Sequence, residues 1–318
     1  MWLQVRLYLL LGLLFAIIYG VIVGVATAIG AGSFLIYAIL AIFFVFLQYL
    51  IGPSMVRWTM RVKWVSEREY PELHSMVAEL AKAGGIRKPK VGVSMIPIPN
   101  AFAFGRMQRD AGVCVTEPLL KSLRGEELRA VLGHEISHIK HRDMMIITIL
   151  SIFPLIIYFM AISLLFSGLG GRGRGGSPIA LIGIGLFLLY FIVSLLVLYG
   201  SRIREYYADL GSVRLGNRPQ YLATALYKLA IGNAKVPKES LKRVEGVKAF
   251  FVNDPSRAMR EVRELKEVDL DMSGTIDYGE LLALRSKSVR LSTGAKIMEV
   301  MMTHPNMVKR IKHLSSLI

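Results

Sequence analysis

The chain has 318 residues, 53% of them hydrophobic, with a net charge of +16 and a mean hydropathy of +0.48. This apolar content exceeds what a soluble globular core of that size needs, so the composition excludes a purely soluble protein and indicates burial in lipid. The positive charge is spread over the polar segments without a nucleic-acid recognition module, which argues against a nucleic-acid partner.

Four apolar stretches are long enough to cross roughly 30 Å of hydrocarbon as helices, and none contains Asp, Glu, Lys or Arg. They cover residues 7–30, 34–51, 144–166 and 179–200. Arg6 and the small residues behind the first stretch would also fit a cleaved signal peptide. The length of that stretch and the second apolar run directly after it favour a retained hairpin.

Basic residues flank the predicted spans on one side of the membrane. They are Arg6, Arg57, Arg61, Lys63, Arg68, Lys140, Arg142, Arg202 and Arg204. Positively charged flanks stay in the cytoplasm, so we expect a multi-pass plasma-membrane protein with both termini and the catalytic segments on the cytoplasmic side. The opposing connections are residues 31–33 and the glycine-rich loop 167–178, whose Arg172 and Arg174 do not outweigh the cytoplasmic flanks.

The spans divide the chain into four predicted parts. These are a transmembrane hairpin at 1–52, a first catalytic part at 53–143, a second hairpin at 144–200 and a second catalytic part at 201–318 with an insertion at about 256–290. Helical periodicity and short β-branched runs mix in the polar parts. The predicted fold is a mainly α membrane protein with four transmembrane helices and an α+β, zincin-like catalytic domain with a small β-sheet.

The first catalytic part contains most of the predicted regular structure. Helices are predicted at 70–83 and from Glu126 onward, and strands at 91–96, 102–104 and 113–116. The single cysteine, Cys114, excludes an intramolecular disulfide and is predicted to be a small buried strand residue.

The helix after Glu126 carries the sequence His134-Glu135-Ile136-Ser137-His138. Two imidazoles four residues apart lie on one face of an α-helix, at a separation that one Zn²⁺ can bridge. Glu135 lies beside that face, where it can take a proton from the attacking water and pass it to the leaving amine. Gly133 would let another segment approach the motif closely.

Catalytic zinc usually has three protein ligands, so a third must come from elsewhere in the chain. His138 lies six residues before the third span, and Glu205 lies five residues after the fourth. If these spans form an antiparallel hairpin, both residues emerge at similar heights, within reach of one metal ion. Asp209, one turn beyond Glu205, could accept the second N–H of a histidine ligand. The alternative is that both histidines are ordinary surface residues.

Several further motifs accompany this site. They are Pro99-Asn100-Ala101-Phe102-Ala103, Leu132-Gly133-His134-Glu135-Ile136-Ser137-His138 with Arg142-Asp143, Glu205-Tyr206-Tyr207-Ala208-Asp209, and Thr303-His304-Pro305 with Arg310-Ile311. On these motifs most of the chain resembles the membrane-bound HtpX heat-shock proteases, which are relatives of the CAAX prenyl endopeptidases.

The resemblance implies a role for each motif. His134, His138 and Glu205 would be zinc ligands, with Glu135 as the base and Asp209 supporting the ligands. Residues Asn100, Ala101, Phe102 and Ala103 resemble the edge at which an extended peptide substrate adds as a strand. His304 would either help to stabilise the oxyanion or serve the structure alone. The chain departs from the family pattern at Asn306, where a second proline is usual, and in an acidic insertion before Thr303.

Residues 269–280 of that insertion fit the twelve-residue EF-hand loop. The predicted calcium ligands are Asp269, Asp271, Ser273, the carbonyl of Thr275, Asp277 and Glu280. Gly274 would supply the sharp turn, and Ile276 is the position through which EF-hands pair, although the sequence has no second loop. The alternative is an acidic turn that caps a helix without binding calcium.

These features predict a membrane-embedded zinc endopeptidase with Ca²⁺ as a second ion that modulates it. The resemblance implies polypeptide substrates, namely misfolded membrane or membrane-near proteins at the cytoplasmic face. Two alternatives stay open: a prenyl-protein peptidase, and a non-catalytic calcium-responsive membrane protein with a structural zinc. Glu135 distinguishes an enzyme from the non-catalytic protein. It is not a zinc ligand, so a structural zinc site would not need it, whereas a hydrolase needs it as a base.

Overall fold

The computed structural model describes residues 32–169, 178–237, 262, 265, 268–287 and 298–318. The chain forms two compact units, and it enters each of them twice. One unit contains the described residues up to Ile51 together with Met145–Ile203, and the other contains Gly52–Met144 and Arg204–Ile318. We refer to them as the apolar unit and the mixed unit.

The helices and strands of the described residues are as follows. The helices are α1 (Gly32–Thr59), α2 (Pro71–Gly84), α3 (Glu117–Ser122), α4 (Glu126–Lys140), α5 (Asp143–Leu150), α6 (Ile152–Leu169), α7 (Pro178–Arg214), α8 (Pro219–Ala234), α9 (Tyr278–Ser286) and α10 (Met307–Ser315). The strands are β1 (Val62–Trp64), β2 (Lys90–Ser94), β3 (Ala101–Phe104) and β4 (Gly112–Thr116). The chain is therefore mainly helical with a small mixed sheet.

Two helical stretches among the described residues are long and apolar enough to cross a membrane, Asp143–Leu165 and Pro178–Arg214. Only 22% and 17% of their most apolar windows are buried, so they are not core helices of a soluble domain. They contain most of the third predicted span and all of the fourth. The second span falls within α1, and the first lies outside the described residues, so the predicted total of four stays a prediction.

The helices of the apolar unit pack closely at Gly183 in α7. A Cβ atom there would lie 2.8 Å from the backbone nitrogen of Leu165 and 3.1 Å from the carbonyl oxygen of Ala161. Only glycine fits at such a distance, and small residues at helix contacts are typical of membrane helices. The buried core of this unit is formed by Leu150, Ile157, Met160, Ala161, Leu164, Leu186 and Val193.

The mixed unit is built on a four-stranded sheet with the order β1-β2-β4-β3. The two central strands β2 and β4 are parallel, and each outer strand is antiparallel to its neighbour. Three of the strands were predicted, but β1 was not. Cys114 in β4 is fully buried, as predicted, opposite Phe102 of β3.

Local signals in the sequence explain the helix boundaries. Helix α2 begins at Pro71 and ends where Gly85 adopts a left-handed conformation with φ of 67°. The hydroxyl of Thr116 accepts a hydrogen bond from the backbone N–H of Leu119 at the start of α3. Gly125, with φ of 54°, separates α3 from α4. These turns place α4 against β3, β4, α2 and α8 in the centre of the mixed unit.

Two glycines allow close packing around α4. A Cβ at Gly211 of α7 would lie 2.6 Å from the Cβ of Ser137. A Cβ at Gly133 would lie 2.8 Å from the hydroxyl oxygen of Ser212 and would also overlap the side chain of Asn217. The sequence predicted that another segment approaches Gly133 closely, and the structure shows the side chains of Ser212 and Asn217 at this position. Both contacts join α4 to residues 211–217, and the absence of a side chain at each glycine allows the two segments to pack closely.

Candidate metal centre

Helix α4 carries the paired histidines on its buried face. His134 is 1% exposed, and Glu135, beside it, is 3% exposed. The side chain of His138, one turn later, is 16% exposed and lies closer to the surface. The helical repeat explains this arrangement, since residues four apart lie one above the other.

The structure brings the three predicted metal ligands together. The Nε2 atoms of His134 and His138 lie 3.1 Å apart. The carboxylate oxygens of Glu205 in α7 lie 3.6 Å from the first of these nitrogens and 3.5 Å from the second. One ligand atom from each residue lies within 4.8 Å of the other two, so the three could hold a single ion.

These separations match the edges of a zinc coordination tetrahedron. Zinc binds imidazole nitrogen at about 2.0–2.1 Å and carboxylate oxygen at about 2.0–2.2 Å, so two ligand atoms at a tetrahedral angle lie roughly 3.4 Å apart. The three observed separations of 3.1, 3.5 and 3.6 Å are of that size, and the two that involve Glu205 end on its two different oxygens. Among the described residues, the group that could hold this ion has three members, and a catalytic zinc site uses three protein ligands.

The second nitrogen of each histidine faces a carboxylate. Nδ1 of His134 lies 2.9 Å from Oδ1 of Asp209, and Nδ1 of His138 lies 2.7 Å from Oδ2 of Asp143. An imidazole that donates its Nδ1 proton leaves the Nε2 lone pair free, and both Nε2 atoms point at the same place. This donor set suits a divalent cation, because two bare nitrogens 3.1 Å apart would otherwise repel each other.

The charge balance also fits a cation. Burial opposes a positive charge on His134, but its hydrogen bonds to Asp209 and Glu205 outweigh that effect and raise its pKa to about 9. For His138, burial and then the charge on His134 lower the pKa to about 4. The pKa values of the two facing imidazoles are thus shifted in opposite directions, because two positive charges at this distance would repel each other.

Glu135, the predicted base, is buried in α4. Burial and then the negative charge of Glu135 raise the pKa of the Cys114 thiol in β4. Helix α4 packs against both β3 and β4. Glu135 therefore lies between the two histidines along the chain, on the helix that packs against the predicted substrate edge.

Strand β3, which contains most of the predicted substrate edge, lies at the end of the sheet order. The backbone N–H of Asn100 donates to Oγ1 of Thr116, and the backbone carbonyl of Asn100 accepts from the N–H of Thr116, both at 2.9 Å. Hydrogen-bonded pairs alternate along an antiparallel ladder. In this register Phe102 bonds to β4, whereas Ala101 and Ala103 direct their backbone groups away from β4.

His304 lies next to Glu205, with its Nδ1 3.3 Å from the Oε1 carboxylate oxygen. The structure therefore places His304 against a predicted metal ligand. Two residues later, the side chain of Asn306 accepts a hydrogen bond of 2.8 Å from the N–H of Val308 and caps α10. The departure from the family pattern at Asn306 thus has a local function that a proline side chain could not provide.

Three charged residues of the site were assigned no contact at the metal in the sequence analysis. Asp143 orients His138, and Arg204 pairs with Asp143 and donates to the carbonyl of His141 at 3.1 Å. Arg204 is 5% exposed, so it is a buried partner of the site as well as a basic flank of a predicted span. The third residue, Arg310 of α10, contacts Asp209 and Glu205. Asp143 and Arg310 were already part of the motifs that accompany the site.

The acidic loop 269–280 lies in the mixed unit, on α8. Carboxylate oxygens of Asp269, Asp271 and Glu280 lie within 4.8 Å of one another, and Gly274 has the positive φ of 80° that the predicted turn requires. Ile276, the position through which EF-hands pair, donates its N–H to the Thr224 hydroxyl at 2.9 Å and accepts from it at 3.0 Å. The hydroxyl of Thr224 in α8 thus makes the two backbone hydrogen bonds with Ile276 that a paired second EF-hand loop would make.

The remaining predicted calcium ligands are close by. The side chains of Ser273 and Thr275 lie 2.9 Å apart at their hydroxyl oxygens. Asp277 caps α9 by accepting the N–H of Glu280 at 2.7 Å, and the Glu280 carboxylate accepts the N–H of Asp277 at 3.0 Å. This reciprocal capping box explains why α9 begins directly after the loop.

Comparison with known proteins identifies the family. The model of Peptidase family M48 matches residues 67–318. Protease HtpX homolog from Methanothermobacter thermautotrophicus is 51% identical over 229 residues, which are 72% of this chain and 86% of the relative. Protease HtpX homolog 2 from Methanosarcina mazei is 34% identical over 289 residues, which are 90% of this chain and 86% of the relative.

A solved structure shares the fold. The crystal structure of S. mikatae Ste24p aligns with a TM-score of 0.54 and 17% identity, covering 98% of this chain and 67% of that chain. Since the family model covers most of the chain and an HtpX homolog is 51% identical to it, this chain belongs to peptidase family M48 as a membrane metalloprotease of the HtpX type.

Proposed function

We propose that the chain is a zinc endopeptidase in which His134, His138 and Glu205 hold the metal. The observation that carries the proposal is the donor geometry. The two Nε2 atoms lie 3.1 Å apart, and the two carboxylate oxygens of Glu205 lie 3.6 Å from that of His134 and 3.5 Å from that of His138. The Nδ1 atom of each histidine faces its own carboxylate. When bound, zinc would polarise the scissile carbonyl and lower the pKa of a water molecule.

Glu135 would act as the general base. Glu135 is buried, follows His134 directly, and lies on the helix that packs against β3 and β4. It would accept the proton of the attacking water and transfer it to the amine of the departing peptide. His304 would complete the site from the side of Glu205, where its ring could donate a hydrogen bond to the oxygen of the tetrahedral intermediate.

The open side of β3 would hold the substrate. Ala101 and Ala103 direct their backbone groups away from β4, and α4 with Glu135 packs against the same strand. An extended peptide could pair with these groups as a further strand, which would present its backbone to the metal site. Asn100 would contribute its side chain, because its backbone is engaged by Thr116.

Replacement of Ala103 tests the substrate edge. Ala103→Pro removes an N–H that forms no bond to β4, so the sheet should survive while KM for a peptide substrate rises about tenfold, corresponding to loss of roughly one hydrogen bond. Ala103→Val keeps the N–H and serves as the matched control. Equal KM values for the two variants, with normal zinc content, would exclude strand pairing at this edge.

The substrates would be misfolded membrane or membrane-near proteins, cleaved at the cytoplasmic face of the plasma membrane. This part of the proposal rests on the relatives named Protease HtpX homolog, on two apolar helices with little burial, and on the basic flanks of the predicted spans. Cysteine labelling tests the orientation. In a Cys114→Ala background, an impermeant reagent added to intact cells should label a cysteine at Ser33 or Ser177 but not at Ser240, and the reverse pattern would invert the topology.

Hydrolysis itself is tested with casein and detergent-purified full-length protein. Activity should disappear after zinc chelation and return when zinc is added back, with one zinc per chain at full activity. A prenyl-protein peptidase, the enzymatic alternative, would instead require a prenylated peptide and leave casein intact. Casein cleavage that is insensitive to chelation would contradict the metal mechanism.

Calcium would modulate this activity through the loop 269–280. Asp269, Asp271 and Glu280 bring three carboxylates within 4.8 Å of one another, and such charges repel unless a cation is present. Calorimetric titration of the zinc-loaded protein should show calcium binding that Glu280→Gln weakens without loss of zinc. Absence of calcium heat at millimolar concentration would leave the loop as a helix-capping turn.

A further inference from the structure

Arg310 is a charged side chain with no exposed surface. It lies in α10, is 0% exposed, and is among the largest fully buried side chains of the described residues. Burial of a guanidinium is unfavourable unless carboxylates and hydrogen bonds compensate it completely. Its contacts therefore indicate what the buried charge is used for.

The guanidinium contacts two carboxylates of α7. Its Nε and Nη2 atoms donate to the two oxygens of Asp209 at 3.0 and 2.6 Å, which is a bidentate pair. Its Nη1 atom lies 3.1 Å from Oε2 of Glu205. A planar fork with five donors can bind two carboxylates in fixed directions, which a lysine ammonium cannot do.

These two carboxylates are the ones on which the metal centre depends. Oδ1 of Asp209, which accepts from Arg310, also lies 2.9 Å from Nδ1 of His134. Oε2 of Glu205, which faces Arg310, leaves Oε1 on the side of His138 and His304. Arg310 thus fixes the support of one histidine and the orientation of the carboxylate ligand at the same time.

The charge of Arg310 cannot explain its location by attraction to the metal, because a guanidinium repels a nearby cation. If Arg310 acted through charge alone, its removal would strengthen zinc binding. If it acts by holding the ligands, its removal would weaken zinc binding. The sign of the effect therefore separates the two roles.

We propose that Arg310 is a positioning residue of the metal centre, which holds Asp209 against His134 and Glu205 between the two histidines. The Nη2 atom of Arg310 also lies 3.4 Å from both ring nitrogens of His134, and a guanidinium has no lone pair with which to bind a metal ion itself. The side-chain cap at Asn306 fixes the start of α10, and the backbone N–H of Arg310 donates to the Asn306 carbonyl at 3.1 Å, so α10 presents the guanidinium from a fixed position. This inference rests on the proposed zinc site.

The test is zinc affinity, measured by competition with a chromophoric chelator on full-length protein in detergent. Arg310→Met should weaken zinc binding about 10–100-fold, the usual effect of losing a residue that orients a metal ligand. Arg310→Lys keeps the charge but loses the fork, so it should also weaken binding. Arg214→Met, an exposed residue of α7, is the matched control and should bind zinc like the wild type.

A double variant tests whether Arg310 acts through Asp209. The effects of Arg310→Met and Asp209→Asn on zinc affinity should not multiply, because residues of one network are not additive. Unchanged or tighter zinc binding in folded Arg310→Met, even with a lower unfolding temperature, would overturn the proposal and leave a purely structural ion pair. If Arg310→Met does not fold, wild-type affinity in Arg310→Lys would overturn it equally. A wild-type protein that binds no zinc would instead refute the zinc assignment itself.

Discussion

The mixed unit contains two clusters of acidic side chains that are held in opposite ways. In the metal centre, the partners come from distant parts of the chain, since Asp209 pairs with Arg310 and with His134. In the loop 269–280, most carboxylates accept backbone N–H groups from within the loop, as Glu280 does from Leu270 at 2.6 Å. One cluster depends on tertiary packing, whereas the other is largely built by its own twelve residues.

This difference has consequences for stability and function. A site assembled from buried charges on separate helices should fail when one member is removed, because each remaining charge loses its compensation. A loop stabilised by its own backbone should tolerate single changes, since each contributes one hydrogen bond of modest net value. The following predictions test this contrast.

The largest difference is expected when a glutamate is replaced by alanine in each of the two clusters. Glu205→Ala should abolish both zinc binding and casein hydrolysis, because it removes a ligand and leaves Arg310 without one of its carboxylates. Glu280→Ala should leave one zinc per chain and measurable hydrolysis. Zinc content by mass spectrometry and casein degradation measure both outcomes. Zinc retained at wild-type stoichiometry in Glu205→Ala would require a different third ligand.

A smaller effect is expected from filling the space at two helix glycines. Gly211→Ala should destabilise the mixed unit by about 1–3 kcal/mol, because the new methyl group overlaps Ser137 of α4. Gly279→Ala in α9 meets its nearest atom only at 3.4 Å, so it should be neutral or stabilise by up to about 1 kcal/mol through helix propensity. Thermal unfolding in detergent compares the two. Equal unfolding temperatures would mean that α4 and α7 are not tightly packed.

The smallest effect is expected where the loop meets helix α8. Tyr227 donates its hydroxyl proton to Asp269 at 2.7 Å, and burial and then this bond raise the pKa of Tyr227 to about 12. Tyr227→Phe should cost about 1 kcal/mol of stability and leave zinc affinity unchanged. Asp269 keeps its backbone partners at Ser273 and Gly274, which limits the loss. A loss of zinc in this variant would show that the two clusters are coupled.

The same contrast explains how much could be predicted from the sequence. The paired histidines, Glu135 and the loop 269–280 were predicted because helical spacing and a twelve-residue pattern are local properties. Glu205 was inferred from its distance to an apolar span. The roles of Asp143, Arg204 and Arg310 depend on which helices meet in the folded chain, and no local pattern indicates that.

The fold shows the same limit. Helix α2 and the start of α4 were predicted near their observed positions because proline and glycine mark these boundaries. Strand β1, with only three residues directly after α1, has too few positions for a recognisable alternation. The bond between Thr224 and Ile276 was also missed, since a side chain 52 residues away replaces the backbone of a partner loop.

The most direct test of the zinc peptidase is the hydrolysis rate of Glu135→Gln together with its zinc content. Glu135 is not a predicted ligand, so the variant should keep one zinc per chain and its fold. Loss of the general base should lower the rate of peptide hydrolysis by about 10²–10⁴-fold. Wild-type hydrolysis in the zinc-loaded variant would contradict the role of Glu135 and the mechanism built on it.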